Sequence, residues 1–350
     1  MSSRSYTRYF LYTLLATTPV YVASQQTAAA QVAAAYGLTT STSLPFPSAT
    51  QSPSDTDNTI MNGWSLGKGR IQDGDANLAF VADPFPNNPA PGSSTNATGP
   101  VLQTTYNANT FGSEDSGAQF YNLWNTSDGS TFQTMIVSYE IAFDQDFDWV
   151  KGGKLPGIRG GLNSTGCSGG NASNGKDCFS TRLMWRKNGA GEVYAYIPTT
   201  NGLCSQSGVV CNSDFGISLQ RGSFGFVSGQ WSRVTLVVRL NNPPNVANGN
   251  VQLYFNDLKA IDQQGLQIRS ASSVTANGFY FSTFFGGSDS SWATPNTVHT
   301  YYRNIVLYGG SAPSNLTGPV VNGAGRTATF GLGTPLLGLV LGGVVSLMLL

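Results

Sequence analysis

The chain of 350 residues is poor in charge, since Asp, Glu, Lys and Arg together make up 10% of it. Lys plus Arg equals Asp plus Glu at 18 each, so the basic excess typical of nucleic-acid-binding proteins is missing. A single histidine, His299, and four cysteines without C-x-x-C spacing argue against a zinc site. No long helical period is present either. We therefore expect no nucleic-acid partner, no metal or other cofactor, and no helical fold.

The sequence does contain many alternating apolar positions and many turn residues. Apolar side chains recur at every second position in 135–143, 234–240 and 251–255, and Gly, Asn and Pro separate such stretches. This period of two is typical of strands with one buried face. With 40% hydrophobic residues, the chain can fill one large β domain. We predict an all-β fold, a two-sheet antiparallel jelly-roll sandwich of the concanavalin-like type, over residues 61–310.

The N-terminal region differs from this domain in composition. Residues 1–24 combine Arg4 and Arg8 with a short apolar run, as a secretory signal peptide does. Residues 25–60 are rich in Ala, Ser, Thr and Pro without a sustained period, which predicts a linker or poorly ordered arm.

The C-terminal region predicts attachment to a membrane lipid. Residues 311–322 are a linker, and 323–350 combine small residues, a polar spacer and an apolar tail, the pattern of a GPI-attachment propeptide. Asn322 is the predicted attachment residue, with Gly323 as the alternative. A tail-anchored helix is the competing interpretation, but 335–350 would rise only about 24 Å against a core of roughly 30 Å. We therefore expect an extracellular monomer held at the cell surface by a GPI anchor.

The four cysteines allow three pairings. Cys167–Cys178 and Cys204–Cys211 would each close a short loop rich in Gly, Ser and Asn, so these are the predicted disulfides. Four free thiols are disfavoured in an oxidising compartment. N-x-S/T sequons mark five candidate glycosylation sites on surface loops: Asn96, Asn125, Asn163, Asn171 and Asn315.

Three segments carry most of the chemical character: K-G-G-K-L-P-G at 151–157, C-F-S-T-R-L-M-W-R at 178–186 and E-V-Y-A-Y-I-P at 192–198. The last two flank K-N-G-A-G, which predicts a hairpin. A two-residue loop would place their polar side chains on opposite faces. A three-residue loop over 188–190 pairs Arg182 with Tyr196 and Arg186 with Glu192, on one face. We predict this second register because register follows the chemistry of the faces.

The predicted face suits the cleavage of a uronic-acid polymer by β-elimination. That reaction needs a cation to neutralise the C6 carboxylate, a base for the C5 proton and an acid for the glycosidic oxygen. Lys154 and Arg182 can supply the cation. Nearby cations would lower the pKa of a phenol, so Tyr194 and Tyr196 could divide the base and acid roles. Tyr196 is the favoured base because the predicted register places it opposite Arg182.

Other residues are expected around these four. Ser180 could orient a carboxylate or a sugar hydroxyl, and Trp292, in a loop of Gly and Ser, could line a sugar subsite. His299 is expected to be structural or to contact substrate. Alternating Asp residues in 144–148 could hold calcium, but the full liganding pattern is absent, so no metal site is predicted.

The three segments resemble polysaccharide lyase family 14, and the resemblance extends over about 62–308. That family includes alginate lyases and related uronate-polymer lyases with a jelly-roll fold. The resemblance implies an acidic polysaccharide substrate, alginate or glucuronan, and the functional residues Lys154, Ser180, Arg182, Tyr194 and Tyr196. The loop from Cys167 to Cys178 resembles that of fungal-type members.

Two other classes of protein fit the same residues. A non-catalytic carbohydrate-binding jelly roll would use the Tyr and Arg side chains only to hold the glycan. A glycoside hydrolase would need two carboxylates across the cleft, and Glu192 is the only acid on the predicted face. A lyase product carries an unsaturated sugar that absorbs ultraviolet light, which neither alternative produces.

Overall fold

The computed structural model describes residues 28–321, apart from 94–98, 114, 125–127, 164–165 and 201. The predicted signal peptide, the anchor site at Asn322 and the sequons at Asn96 and Asn125 lie outside the described residues. The described helices are α1 (Ala29–Ala35) and α2 (Pro53–Gly63). The described strands are β1 (Thr40–Ser43), β2 (Leu78–Val81), β3 (Val101–Tyr106), β4 (Ala118–Leu123), β5 (Thr134–Phe143), β6 (Gly152–Gly161), β7 (Cys178–Arg186), β8 (Ala190–Tyr196), β9 (Val209–Val210), β10 (Ile217–Gly225), β11 (Ser232–Arg239), β12 (Gly249–Phe255), β13 (Leu258–Leu266), β14 (Ala276–Phe285) and β15 (Val298–Gly310).

The described strands form two antiparallel sheets. The eight-stranded sheet has the order β13-β12-β11-β5-β15-β3-β2, and β1 also pairs with β15. The seven-stranded sheet has the order β4-β14-β6-β7-β8-β10-β9. One core of apolar side chains from both sheets lies between them. The predicted all-β, two-sheet antiparallel sandwich is confirmed.

Alternation along the strands decides which side chains fill this core. On β7, Phe179, Leu183 and Trp185 are fully buried in it. The Trp185 ring lies 5.2 Å from the Phe285 ring, nearly perpendicular to it, a favourable aromatic geometry. Because side chains alternate, the even-numbered residues of β7, including Arg182, face away from the core. The seven-stranded sheet therefore presents a polar outer face.

The segment 28–63 is folded, which corrects the predicted linker or disordered arm over 25–60. Helix α1 packs Val32 against Val237 of the eight-stranded sheet. Ser52 caps the start of helix α2, because its hydroxyl accepts a hydrogen bond from the backbone amide of Asp55. Ile60 of the same helix lies in the main core. These helices are too short to show a clear 3.6-residue hydrophobic period. The only helix signal in the sequence was therefore the Ser-Pro pair at the start of α2.

A charged cluster lies on the outer face of the eight-stranded sheet. Glu140, on β5, accepts from Arg303 Nε at 2.7 Å and from Arg233 Nη2 at 3.0 Å. Arg303 also pairs with Asp83, and Arg233 with Asp257. Burial favours a higher pKa for Glu140, but the arginines outweigh it and lower the pKa. This set of two cations and three acids is called the Glu140 cluster below.

Both predicted disulfides are present. Cys167 is bonded to Cys178 and Cys204 to Cys211. The sequon residues among the described residues are exposed: Asn163, Asn171 and Asn315. Their glycosylation stays a prediction. Neither described helix is long and apolar enough to cross a membrane.

Candidate active site

The hairpin of β7 and β8 forms the centre of the site in a register that differs from the predicted one. Arg182 lies opposite Tyr194, and Ser180 lies opposite Tyr196. The predicted pairing of Arg182 with Tyr196 was wrong by two residues, because a 3₁₀ turn at Lys187–Gly189, with Asn188 in a left-handed conformation, lengthens the loop. A shift of two keeps every side chain on its predicted face, so the polar groups still gather together.

Arg182, Tyr194 and Tyr196 line a pocket of about 330 Å³ on the outer face of the seven-stranded sheet. No Asp or Glu of the described residues is among those that line it. The pocket brings together four cations, two phenols and two aromatic side chains from separate loops: Lys154, Arg182, Arg186, Arg221, Tyr194, Tyr196, Phe215 and Trp292.

The glycines around Lys154 allow β6 to lie very close to its neighbour. A Cβ at Gly153 would lie 2.1 Å from the Trp185 ring, and one at Gly157 would lie 2.0 Å from the Thr181 carbonyl oxygen. Only glycine fits at such positions. The glycines of the K-G-G-K-L-P-G segment therefore let β6 pack closely against β7, which fixes the backbone beneath Lys154.

Lys154 has an unusual set of neighbours for a lysine. Its Nζ lies 3.0 Å from Met184 Sδ and 4.0 Å from the centre of the Tyr194 ring. Among the described residues, it forms no ion pair with an acid. Burial lowers its pKa well below the ordinary value, and Arg182 and Arg186 lower it further. These effects shift Lys154 toward the neutral amine, the form that can accept a proton.

Arg182 is 1% exposed yet reaches the pocket. Its guanidinium lies 4.9 Å from the centre of the Tyr280 ring, and Nη1 donates to Ser282 Oγ at 2.9 Å. Its buried Nε has no hydrogen-bond partner among the described residues. Because Ser282 and Tyr280 hold the guanidinium at the pocket, its positive charge is suited to bind an anionic group there.

The two phenol oxygens each accept a backbone hydrogen bond. Gly216 N donates to Tyr194 Oη at 2.8 Å, and Gly170 N donates to Tyr196 Oη at 3.1 Å. A phenol oxygen that accepts in this way keeps its own proton available for donation. Burial raises the pKa of Tyr194, and Tyr196 adds to the increase. This corrects the expectation that cations would lower the pKa of this phenol, because desolvation outweighs them.

Both disulfide loops support this arrangement. Gly170 belongs to the loop closed by Cys167 and Cys178, and Cys211 itself lines the pocket. Ser180 is fully buried and donates its hydroxyl to the Cys167 carbonyl oxygen at 2.6 Å. The structure places Ser180 beneath this loop and not among the residues that line the pocket.

The structure separates Trp292 from His299, the two outlying candidates. Trp292 lines the pocket, and Lys151 Nζ lies 5.8 Å from its ring centre. His299 lies on β15 of the other sheet, where its Nδ1 is 2.9 Å from Asp144 Oδ2. Tyr301 donates to the other oxygen of Asp144 at 2.8 Å. Asp144 is therefore occupied, and no group of metal-binding residues exists in the described ranges.

Arg221 and Phe215 are pocket residues that the sequence analysis did not single out. Arg221 follows Gln220, whose φ of 53° is left-handed, at a bulge between Leu219 and Phe224 of β10. The letters Q-R-G inside a strand were the available signal, since a glycine within a strand often marks a bulge.

Comparison with known proteins gives a family for this site and fold. Residues 94–305 match the family model described as Polysaccharide lyase 14. The chain is similar to the PL-14 alginate lyase from Aplysia kurodai, with 30% identity, a TM-score of 0.61, and coverage of 78% of this chain and 99% of that one. It also resembles the alginate lyase vAL-1 from a Chlorella virus, at 20% identity, a TM-score of 0.53 and coverage of 73% and 98%. No curated protein matches the sequence.

The sandwich is that of a polysaccharide lyase. The chain belongs to polysaccharide lyase family 14, which confirms the resemblance inferred from the three segments. The jelly-roll fold is confirmed together with it. The likeness to the viral enzyme, below 25% identity, supports the fold alone.

Proposed function

We propose that this protein cleaves a uronic-acid polysaccharide by β-elimination, and that alginate is its first substrate to test, with glucuronan as the alternative. The 30% identity to an alginate lyase supports this substrate class. One observation carries the proposal: the desolvated amine of Lys154, which has no acidic partner among the described residues, shares a pocket with Arg182 and two phenols. A pocket without a carboxylate among the described residues does not favour a glycoside hydrolase, which needs two.

Arg182 is proposed to neutralise the carboxylate of the sugar that loses its proton. Its guanidinium lines the pocket, and Ser282 and Tyr280 hold it in place. Charge-assisted hydrogen bonds to the carboxylate stabilise the enolate-like charge that develops as the C5 proton leaves. A fixed arginine supplies this stabilisation without reorganising during the reaction.

Lys154 is proposed as the base, which revises the role expected from the sequence. A lysine with a lowered pKa has a lone pair available, whereas Tyr194, with a raised pKa, keeps its proton. The C5 proton passes to Lys154 Nζ, and the electrons of the C5–H bond form the C4–C5 double bond. The C4–O4 bond breaks, and the departing oxygen takes the proton of Tyr194. The lysine then returns its proton to the phenolate through solvent, so the cycle balances.

An absorbance assay tests this function. Purified protein is incubated with alginate, its mannuronate-rich and guluronate-rich blocks, glucuronan and pectate, and ultraviolet absorbance is followed alongside new reducing ends. We expect both signals to rise together on at least one uronate polymer. New reducing ends without absorbance would indicate a hydrolase, and binding without either signal would indicate a carbohydrate-binding module.

We also infer that the protein is secreted and held at the cell surface through a GPI anchor at Asn322. Two disulfides support an oxidising compartment, and three exposed sequon residues are compatible with glycosylation. Expression in a eukaryotic host followed by phosphatidylinositol-specific phospholipase should release the protein. Retention on the membrane with residues 335–350 detectable by mass spectrometry would contradict the anchor.

A further inference from the structure

We propose that Arg221, supported by Arg186, forms a second carboxylate-binding site in the same pocket, for the uronate next to the one that Arg182 neutralises. This inference rests on the proposed function, since it assigns a subsite to the same polymer. It makes Arg221 a specificity-determining residue for chains that carry consecutive acidic sugars.

The site is built around the fully buried Glu192 of β8. Arg186 Nε donates to its Oε1 at 2.9 Å, and Arg221 Nε donates to its Oε2 at 2.6 Å. Ser218 Oγ donates to Oε2 at 2.6 Å. Both carboxylate oxygens are therefore occupied, and Glu192 holds the two arginines in fixed positions.

The charges around Glu192 do not balance. Two arginines share one carboxylate, and both line the pocket. The side chain of Arg221 is 45% exposed, and its two terminal nitrogens have no hydrogen-bond partner among the described residues. One positive charge is thus left over, on a guanidinium whose free edge can form a two-pronged contact with a carboxylate.

The backbone accounts for the position of Arg221. The left-handed Gln220 forms a bulge in β10, and bulges redirect the side chains beside them. Ser218 and Glu192 then fix Arg221 Nε. An arginine held in place before binding loses little conformational entropy when an anion arrives, which favours affinity.

The rest of the pocket fits a polymer better than a free ion. Phe215, 45% exposed, and Trp292 offer apolar surface on which sugar rings can pack. A uronate polymer carries one carboxylate per sugar, so a chain bound at Arg182 brings further carboxylates into the same cleft. The sharing of one pocket by Arg182 and Arg221 therefore points to neighbouring uronates.

The test compares Arg221→Gln with Lys187→Gln, a matched loss of one positive charge at an exposed residue of the hairpin loop that does not line the pocket. We expect Arg221→Gln to raise KM about tenfold, with little change in kcat, because a tenfold loss of affinity is what one charge-assisted hydrogen bond typically contributes to binding. Its KM should also depend less on salt than that of the wild type. Lys187→Gln should leave KM within twofold. Thermal unfolding confirms that each variant is folded.

A polymer with randomly reduced carboxyl groups gives a second readout, in which the wild type is compared with Arg221→Gln. If two neighbouring carboxylates are recognised, kcat/KM should fall more steeply than the fraction of carboxylates left, approaching its square. In Arg221→Gln the dependence should become linear. A linear dependence in the wild type, or an unchanged KM in a folded Arg221→Gln, would overturn the second site. Inactivity of the wild type on every uronate polymer would instead overturn the proposed function.

Discussion

Two buried glutamates of this protein have the same local design and different surroundings. Glu140 lies on a strand of the eight-stranded sheet, directly opposite Arg233 on one neighbour and Arg303 on the other. Glu192 lies on a strand of the seven-stranded sheet and is also held by one arginine from each neighbouring strand, Arg186 and Arg221.

The difference lies in charge balance and access. The Glu140 cluster has more acids than cations, and the Trp231 ring lies 4.0 Å from the guanidinium of Arg303. The site at Glu192 has more cations than acids and borders the pocket. A carboxylate between two arginines therefore stabilises the fold where it is buried and each arginine also has an aspartate partner. Where it is open and positive, it can bind an anion.

The largest effect is expected from Lys154→Met, which should lower kcat by about 10²- to 10⁴-fold, the usual contribution of a catalytic base. Because a neutral amine is required, wild-type activity should fall as pH drops through the lowered pKa of Lys154. Lys151→Met, in the same K-G-G-K motif but outside the pocket lining, should keep most of the activity.

The stability of Lys154→Met gives an independent check. The pKa of Lys154 is lowered on folding, so the unfolded chain binds more protons and wild-type stability should rise with pH up to about 10.4. The methionine variant should lack this rise. Denaturant unfolding at several pH values measures it, and an equal slope in both proteins would contradict the neutral amine.

Glu140→Ala should affect stability in place of catalysis. Removing Glu140 breaks its hydrogen bonds with Arg303 and Arg233, each worth roughly 1.5–3 kcal/mol, while Arg303 keeps Asp83 and Arg233 keeps Asp257 as partners. Urea unfolding should show this loss, while kcat per folded molecule stays near the wild-type value. Glu192→Ala releases Arg186 and Arg221 from the carboxylate that holds them in place, so it should raise KM. Equal changes in KM for both variants would remove the distinction between the two clusters.

Replacing Tyr194 should lower kcat more than replacing Tyr196. Tyr194→Phe keeps the ring over Lys154 and removes the proton donor, so kcat should fall about 10²-fold with little change in KM. Tyr196→Phe should cost less than about tenfold, since Tyr194 and not Tyr196 lies opposite Arg182. Initial rates at saturating substrate measure both. Full activity in both variants would exclude a phenol as the acid.

Alternation along the strands was enough to predict the sandwich and the shared face of Arg182, Tyr194 and Tyr196, and short loop closure was enough to predict both disulfides. The register was not predictable, because it depends on the left-handed Asn188 in the loop and not on the faces. The sequence also did not predict that the pKa of Lys154 is lowered while that of Tyr194 is raised. Whether a cation or desolvation dominates at Tyr194 is decided by packing from distant segments, such as the one that contains Gly216.

His299→Ala is expected to have the smallest effect and tests the placement of the catalytic pocket on the other sheet. His299 contacts Asp144. Burial alone would raise the pKa of Asp144, but the hydrogen bonds with His299 and Tyr301 outweigh burial and lower it. This partly exposed pair should contribute at most about 1 kcal/mol.

Because the pKa of Asp144 is lowered, the contribution of the pair is present above the unfolded value near 4 and is lost at lower pH. Unfolding at pH 7 and pH 3 should therefore show the variant's deficit shrinking, with kcat and KM within twofold of wild type. A tenfold loss of kcat would show that the eight-stranded sheet takes part in catalysis, and Lys154 could not then be the sole base.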